Sequence, residues 1–176
     1  LTGFALFALA WTCALSVVAQ TYPSKPVRVI VSFPPGAGVD IVARTITPRL
    51  AEAFSQQFVV DNRAGASGNL GAEAAAHSAP DGYTLLFTPA SVASSQALYQ
   101  KLGYTLEKDL TPISMAASAP FVLVVHPSLP VKTVKDLIAM ARARPGQLLY
   151  ASTGNGGSPH LATELFKLQA KIDILH

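Results

Sequence analysis

Three glycine-rich segments, residues 33–40, 61–71 and 150–166, contain the residue types and spacing best suited to holding a small anion. Each follows an apolar run typical of a strand and precedes a pattern typical of a helix. In parallel α/β sheets, ligands bind beyond the carboxyl ends of the strands, where helices begin with unpaired N–H groups. The chemistry that these segments predict is main-chain recognition of a negatively charged group.

In the first segment, glycines remove side chains at a strand-to-helix corner. Gly36 and Gly38 lack the Cβ atoms that would hold a ligand away from the backbone, and Pro34 and Pro35 stiffen the approach. Asp40 follows in the first helical turn, where its carboxylate competes with an anionic ligand. It either caps the helix and fixes the loop or meets an ammonium group of the ligand, and we favour capping.

The second segment repeats glycine at every third position. Gly65, Gly68 and Gly71 alternate with Ser67 and Asn69, a pattern that can form a backbone nest for a carboxylate. The spacing differs from that of the dinucleotide-binding fingerprint. The alternative interpretation is a glycine-eased start of a helix, with residues 62 and 63 holding the turn.

The third segment places three glycines, at positions 154, 156 and 157, before a favourable helix start. Ser158 at the N-cap and Pro159 at the first helical position are typical of that start. His160 then falls in the first turn. It contacts a ligand or packs as a half-buried histidine, and packing is the interpretation we favour.

No pattern in the sequence indicates catalysis. There is no G-x-S-x-G nucleophile elbow and no H-E-x-x-H or other metal-ligand spacing, and the histidines at 77, 126 and 176 are isolated. We therefore predict no catalytic residues, no metal and no cofactor. An α/β enzyme remains an alternative that would need a site the sequence does not show.

Composition and charge narrow the class of protein. The 13 Lys and Arg residues exceed the 10 Asp and Glu residues by three and are scattered, which argues against nucleic-acid binding. The single cysteine, Cys13, excludes a disulfide framework. Residues 1–20 are uncharged and nearly all apolar, which predicts a cleaved export signal, with a retained membrane anchor as the alternative.

Strand-like and helix-like segments alternate along the rest of the chain, which favours an α/β fold with mainly parallel sheets. The predicted strands are residues 27–31, 58–60, 83–87, 148–151 and 172–175. The predicted helices are residues 39–54, 68–79, 91–99 and 158–169, and a fifth that starts at a capping box formed by Thr133 and Asp136. Two further apolar runs span residues 113–117 and 121–125.

Two details of these helices can be checked individually. Pro48 lies inside the first helix and is expected to kink or locally open it. In the helix after Thr133, the buried stripe is expected to consist of Val134, Leu137, Ile138 and Ala141.

Taken in order, four stretches of the sequence resemble the extracytoplasmic substrate-binding receptors of tripartite tricarboxylate transporters. They are YPSKPVRVIVSFPPGAGVDIVAR, VVDNRAGASGNLGAEAAAHSAPDGYTLLF, VLVVHPSLPVKTVKDLI and YASTGNGGSPHLATELF. The resemblance implies a periplasmic-binding-protein-like, or Venus flytrap, fold whose two α/β lobes close over a small organic carboxylate. Such a receptor is periplasmic, performs no chemistry and delivers its ligand to a membrane permease.

The resemblance also implies where the ligand is held, and in this sequence the residues form four groups. They are Phe33, Pro35, Gly36, Ala37, Gly38, Val39 and Asp40 in the first loop; Gly65, Ala66, Ser67, Gly68 and Asn69 in the second; Thr88 and Ser91 after the third strand; and Ser152, Gly154, Asn155, Gly156, Ser158 and His160. Many relatives carry a hydroxyl residue where this chain has Val39, so recognition there would depend on backbone N–H groups.

Family chains run to nearly twice this length, so the resemblance assigns residues 21–120 to a first lobe. Residues 121–176 would form a crossover strand and the beginning of a second lobe. We expect exposed apolar surface where further elements would dock. A periplasmic sensor or scaffold of the same fold, reporting a ligand to a signalling protein, is the alternative function.

Overall fold

A three-stranded parallel sheet forms the centre of the computed structural model, which describes residues 21–176. The strands are β1 (Val27–Val31), β2 (Phe58–Asn62) and β3 (Thr84–Phe87), in the order β2-β1-β3. Val29 of β1 is aligned with Val60 of β2 and with Leu85 of β3. The predicted parallel α/β architecture is confirmed, whereas the predicted export signal at residues 1–20 lies outside the described residues.

The central strand β1 is buried because helices cover both faces of the sheet. Helix α1 (Gly38–Phe54) brings Ala43 against Val29 and Val31. On the opposite face, α2 (Asn69–Ala76) and α3 (Ser91–Leu98) contribute Ala72 and Val92 to a second cluster, which is completed by Tyr104 and Leu86. Continuous β-branched sequence is typical of a strand covered in this way. A short helix, α4 (Leu106–Asp109), was not predicted.

Helix α1 runs from Gly38 to Phe54 with Pro48 inside it, and the expected kink at this proline stays a prediction. Ser55, with a left-handed φ of 51°, ends α1.

The apolar runs at residues 113–117 and 121–125 do not form strands, so the expected crossover strand is absent at 121–125. Ile113, Met115, Val122 and Val124 are about four-fifths exposed, at 80%, 82%, 78% and 79%. Neither run has a hydrogen-bonded neighbour within residues 21–176, and an isolated extended segment cannot satisfy its backbone groups as a strand does. Exposed apolar surface is thus present along these runs, and its role as a docking site for further elements stays a prediction.

Helices α5 (Val134–Ala143) and α6 (Ser158–Ala170) pack together near the end of the chain. The predicted capping box of α5 is present, because Thr133 Oγ1 accepts from the Asp136 amide and the Asp136 carboxylate accepts from the Thr133 amide. Leu137 and Ala141 are buried, but Val134 is 52% exposed and does not belong to the buried stripe.

The predicted strands at 148–151 and 172–175 are reduced to one parallel bridge between Leu149 and Leu175. Ile172 and Ile174 are nevertheless buried against Ala141 and Ala170, so the apolar pattern identified core residues correctly. Within residues 21–176, none of the helices combines the length and the apolar character needed to cross a membrane.

Candidate functional site

Two adjoining cavities lie beyond the carboxyl end of β1 and share Phe33 and Thr153 in their walls. The larger, of 390 Å³, is lined by Ser32, Phe33, Pro34, Gly65, Ala66, Ser67, Gly68, Tyr99, Thr153, Gly154 and Asn155. The smaller, of 230 Å³, is lined by Phe33, Ala37, Gly38, Val39, Pro89, Ser91, Phe121, Thr153, Ser158 and Pro159. Neither wall contains a charged side chain, so any charge recognition in these cavities depends on neutral hydrogen-bonding groups.

Three helices begin at the smaller cavity. Gly38 is the first residue of α1, Ser91 of α3 and Ser158 of α6, and all three line the cavity wall. The first hydrogen bonds of α1 and α6 are donated by the amides of Ile41 and Leu161. The amides before them have no acceptor within their helices. Of the residues with such amides, Gly38, Val39 and Ser158 line the cavity, whereas the Val92 and Ala93 amides of α3 already donate to the Pro89 and Ala90 carbonyls. With the positive ends of three helix dipoles, this arrangement favours an anion.

The hydroxyl of Ser91 has an unmet hydrogen bond. Ser91 is 1% exposed, and its Oγ is the one buried side-chain oxygen or nitrogen without a partner in the described part of the chain. A buried hydroxyl left unpaired costs roughly 1 to 3 kcal/mol. The neighbouring Ser95 hydroxyl does not supply the missing bond, because it donates to the Ser91 carbonyl at 3.1 Å.

Asp40 fixes the loop before α1. Its buried carboxylate accepts hydrogen bonds from Asn62 Nδ2 at 2.8 Å, from the Gly36 amide at 2.9 Å and from Arg44 Nε at 3.0 Å. These bonds lower the pKa of Asp40 from 3.8 to about 2, and the bond from Asn62 is the largest cause. Asp40 is not the N-cap, which is Ala37, but it holds the turn that leads into the helix.

Asn62 connects this turn to the end of β2. Its side-chain amide also donates to the Phe33 carbonyl at 2.9 Å, and its Oδ1 accepts from Arg44 Nη2 at 2.9 Å. The alternative interpretation had Asn62 hold the turn of its own segment, residues 61–71, but its side-chain bonds go to Phe33, Asp40 and Arg44. The turn that it holds is the one at 33–40.

The loop at residues 65–68 has a left-handed backbone throughout. The φ angles are 138° at Gly65, 47° at Ala66, 55° at Ser67 and 98° at Gly68. A Cβ at Gly65 would lie 2.5 Å from Leu70 Cδ1, and one at Gly68 would lie 3.1 Å from the Phe33 ring. Ala66 and Ser67 have no such glycine freedom, so each stores roughly 1 to 3 kcal/mol of strain, a feature common at ligand sites.

Most of the residues predicted for the site are brought together by the fold. Those that line a cavity are Phe33, Ala37, Gly38, Val39, Gly65, Ala66, Ser67, Gly68, Ser91, Gly154, Asn155 and Ser158. Those that do not are Pro35, Gly36, Asp40, Asn69, Thr88, Ser152, Gly156 and His160.

Several residues of the second group have internal partners instead. Asn69 accepts from the Tyr104 hydroxyl at 2.7 Å, and Thr88 Oγ1 accepts from Ser32 Oγ at 2.8 Å. His160 Nδ1 accepts from the Gly156 amide at 3.3 Å, and its ring lies 6.4 Å from that of Tyr150. These contacts support the packing interpretation of His160.

The sequence reasoning missed seven lining residues, which are Ser32, Pro34, Pro89, Tyr99, Phe121, Thr153 and Pro159. Ser32 and Thr153 had a usable signal, because each lies directly beside a predicted site residue at a strand end. Tyr99 and Phe121 had none, since they reach the cavity from the end of a helix and from an extended segment without secondary structure.

Comparisons of the sequence and of the structure with known proteins identify the same family. A model of the tripartite tricarboxylate transporter family receptor matches residues 42–176. Protein BugT of Bordetella pertussis is 43% identical over 158 residues, which are 89% of this chain and 48% of that protein. A UPF0065 protein from a tcbD-tcbE intergenic region of a Pseudomonas strain is 38% identical over 157 residues, 89% of this chain and 47% of its own length.

Two solved structures extend the comparison to the fold. An R. palustris protein solved with adipate superposes with a TM-score of 0.82 and 41% identity, over 88% of this chain and 52% of that one. MatC from Rhodopseudomonas palustris with bound malate gives 0.76 and 31%, over 88% and 53%. The chain thus spans about half the length of the relatives that it matches. From the family match and these relatives, we conclude that the chain belongs to the tripartite tricarboxylate transporter receptor family, with the fold of its periplasmic solute-binding proteins.

Proposed function

We propose that the protein captures a small organic carboxylate in the two adjoining cavities, with one carboxylate group seated where α1, α3 and α6 begin. The observation that carries this proposal is the convergence of three helix starts on the smaller cavity, where Ser91 lines the wall and its buried hydroxyl has no partner. A carboxylate oxygen accepts from main-chain N–H groups, and rotation of the Ser91 side chain toward the cavity would add its hydroxyl as a further donor.

The energetics favour an anion over a neutral ligand at this position. A helix start contributes roughly 0.3 to 1 kcal/mol to a nearby anion, and up to about 2 kcal/mol in partly buried geometry. A charge-assisted hydrogen bond adds roughly 1.5 to 3 kcal/mol. No lining side chain carries a negative charge that would oppose the ligand, and Arg44 and the surrounding hydrogen bonds already satisfy the nearest carboxylate, Asp40.

The solved neighbours support the class of ligand. One was solved with adipate and the other with malate, and both are small dicarboxylates. The larger cavity, of 390 Å³, adjoins the smaller one through Phe33 and Thr153 and leaves space for the rest of such a molecule. Its mainly apolar and hydroxyl lining suits a carbon chain with few polar substituents.

Membership of the receptor family supports the remaining steps of the proposal. The protein is exported to the periplasm by a cleaved signal at residues 1–20, and the ligand-bound, closed form is recognised by a membrane permease. Ligand contacts from both 33–40 and 152–160 would shift the population toward that form, since a ligand shifts an equilibrium by its difference in affinity for the two states.

Calorimetric titration with matched ligand pairs tests the proposal. Adipate and malate are each compared with the neutral diamide of the same carbon skeleton. We expect saturable binding of at least one acid and affinity for its diamide that is lower by at least roughly 10-fold, because the diamide lacks the charge-assisted bonds. Equal affinity for an acid and its diamide, or no binding across a panel of mono-, di- and tricarboxylates, would overturn the proposal.

A further inference from the structure

The main-chain carbonyl oxygen of Asn155 accepts hydrogen bonds from two hydroxyl groups that lie far away along the chain. Ser67 Oγ donates to it at 2.5 Å and Tyr99 OH at 3.2 Å. Ser67 belongs to the left-handed loop at 65–68, and Tyr99 follows the end of α3. Asn155 lies in the loop before α6, so these bonds tie the loop to two separate parts of the sheet-bearing unit.

All three residues line the larger cavity. Two donors occupy both lone pairs of the Asn155 carbonyl, so the oxygen has no remaining acceptor capacity for a ligand donor. The contact is therefore a part of the wall that joins the two sides of the cavity, and it is made without a ligand.

The backbone around this contact is shaped for close approach. Gly154 and Gly156 have φ angles of 111° and 78°. A Cβ at Gly154 would lie 3.6 Å from Ser67 Oγ, and one at Gly156 would lie 3.5 Å from Tyr99 OH. The strained φ of 55° at Ser67 presents the hydroxyl from the other side. Both partners thus adopt uncommon backbone conformations where the bonds form.

We infer that Ser67, Tyr99 and Asn155 form a latch that holds the 153–157 loop against the rest of the cavity wall and sets the residence time of a bound ligand. The inference about residence time rests on the proposed function. The latch does not touch the helix starts that recognise the carboxylate, so it controls release of the ligand and leaves the choice of chemical class to the smaller cavity.

A latch predicts a specific kinetic pattern. A ligand leaves only when the loop opens, so loss of either hydroxyl increases koff. Because the bonds are also made without a ligand, binding too requires the loop to open, so kon increases by a similar factor and the Kd changes little. One neutral hydrogen bond corresponds to roughly a 2- to 10-fold increase in koff for Ser67→Ala or Tyr99→Phe. The double variant is expected to increase koff more than either single variant does.

The first measurement needs no ligand. The amides of Gly154, Gly156 and Gly157 are bonded within residues 152–160, at 3.2, 3.3 and 3.0 Å, so their hydrogen exchange reports how firmly the loop keeps the conformation that the latch holds. We expect exchange at these amides to be roughly 2- to 10-fold faster in each variant. Exchange rates that match those of the unaltered protein would overturn the latch, whatever the ligand proves to be.

The second measurement is stopped-flow binding of the carboxylate with the highest affinity in calorimetry. Increases in both koff and kon with little change in Kd support the latch, and an unchanged koff contradicts its role in release. Failure of the unaltered protein to bind any carboxylate would contradict the proposed function and the role in release, while the exchange data would still decide whether the latch exists.

Matched variants control for loss of a hydroxyl in general. Ser78→Ala removes a hydroxyl that donates to the Ala74 carbonyl at 2.8 Å, and Tyr83→Phe removes one that contacts Ser24. Neither residue lines a cavity, and neither change is expected to alter loop exchange or koff. Ser67→Ala introduces no new backbone strain, because Ala66 beside it already adopts the same left-handed region.

Discussion

The main-chain amide of Gly36 lies 2.9 Å from the Asp40 carboxylate and donates a hydrogen bond to it. This bond uses the amide of a residue that was expected at the ligand site, whereas Gly38 and Val39 line the smaller cavity. The two glycines of the corner therefore have different roles. Gly36 is needed for its φ of 83°, whereas Gly38 leaves open space beside an ordinary helical backbone.

We predict that Gly38→Leu lowers affinity for a carboxylate by at least roughly 10-fold, since the side chain fills the space over the helix start and displaces a charge-assisted bond. No atom outside the immediate backbone lies within 4 Å of a Cβ at Gly38, so the free energy of unfolding should change by less than about 0.5 kcal/mol. Calorimetry and urea denaturation measure the two quantities.

Gly71→Ala is the contrasting control for Gly38→Leu. A Cβ at Gly71 would lie 2.7 Å from Ser32 Cα and 2.9 Å from the Arg63 carbonyl oxygen, so this variant should lose roughly 1 to 3 kcal/mol of stability. An unaltered affinity in Gly38→Leu would show that the ligand does not approach this helix start.

Ser91→Ala is predicted to separate stability from binding. Removal of a buried, unpaired hydroxyl should leave the ligand-free protein as stable as before or raise its free energy of unfolding by up to about 1 kcal/mol. Affinity for the carboxylate should fall by roughly 10-fold, because the ligand loses one charge-assisted donor. Thermal melts with and without ligand report both effects.

Ser95→Ala is the matched control for Ser91→Ala on the same helix. Its hydroxyl is also buried but is bonded to the Ser91 carbonyl, so the change should cost stability of about 1 kcal/mol and leave affinity unaltered. If Ser91→Ala destabilises the ligand-free protein as Ser95→Ala does, the Ser91 hydroxyl has an internal role.

Asp40→Asn is predicted to reduce the acid sensitivity of the fold. The pKa of Asp40 is lowered from 3.8 to about 2 in the folded protein, so its carboxylate stabilises the fold fully above pH 3.8 and loses this contribution as the pH falls through about 2. The stability difference between the unaltered protein and the variant should therefore be largest at neutral pH and shrink between pH 3.8 and 2.

Urea denaturation at a series of pH values measures this difference. The other carboxylates titrate in both proteins, so subtraction isolates Asp40. A stability difference that stays constant down to pH 2 would mean that the charge of Asp40 does not stabilise the fold.

Residues 113–125 are predicted to make the 176-residue chain self-associate. An extended run that is apolar, β-branched and about four-fifths exposed at Val122 and Val124 is a template for pairing between chains. The double substitution Val122→Lys with Val124→Lys should shift sedimentation toward the monomer. A chain that sediments as a monomer and melts cooperatively without these substitutions would contradict the prediction.

The sequence was sufficient to predict elements whose apolar pattern is satisfied locally or by near neighbours. β1 and the capping box at Thr133 and Asp136 are examples, since a buried β-branched strand and a reciprocal cap leave clear signals within a few residues. The strands expected at 148–151 and 121–125 did not form because their stability depends on distant partners. A strand exists only with a hydrogen-bonded partner, and a short apolar run does not say whether one is present.

The same distinction applies to the candidate site. Glycines at strand ends predicted the loops that meet at the two cavities, because main-chain recognition leaves a compositional signal. Two features could not be predicted, the hydrogen bond made by Tyr99 and the lack of a partner for the Ser91 hydroxyl. Both depend on which residues distant in the sequence lie nearby in the fold, and residue spacing does not indicate this.

The unbroken left-handed course of residues 65–68 restricts how this wall of the cavity can diversify during evolution. Larger or β-branched replacements at Ala66 and Ser67 would add strain to positions that already adopt an unfavourable φ. Phe121 and Thr153 line the cavities without a positive φ, so their backbone accepts a wider range of side chains. Changes in the shape of the cavities are therefore expected at these two positions, while residues 65–68 stay small.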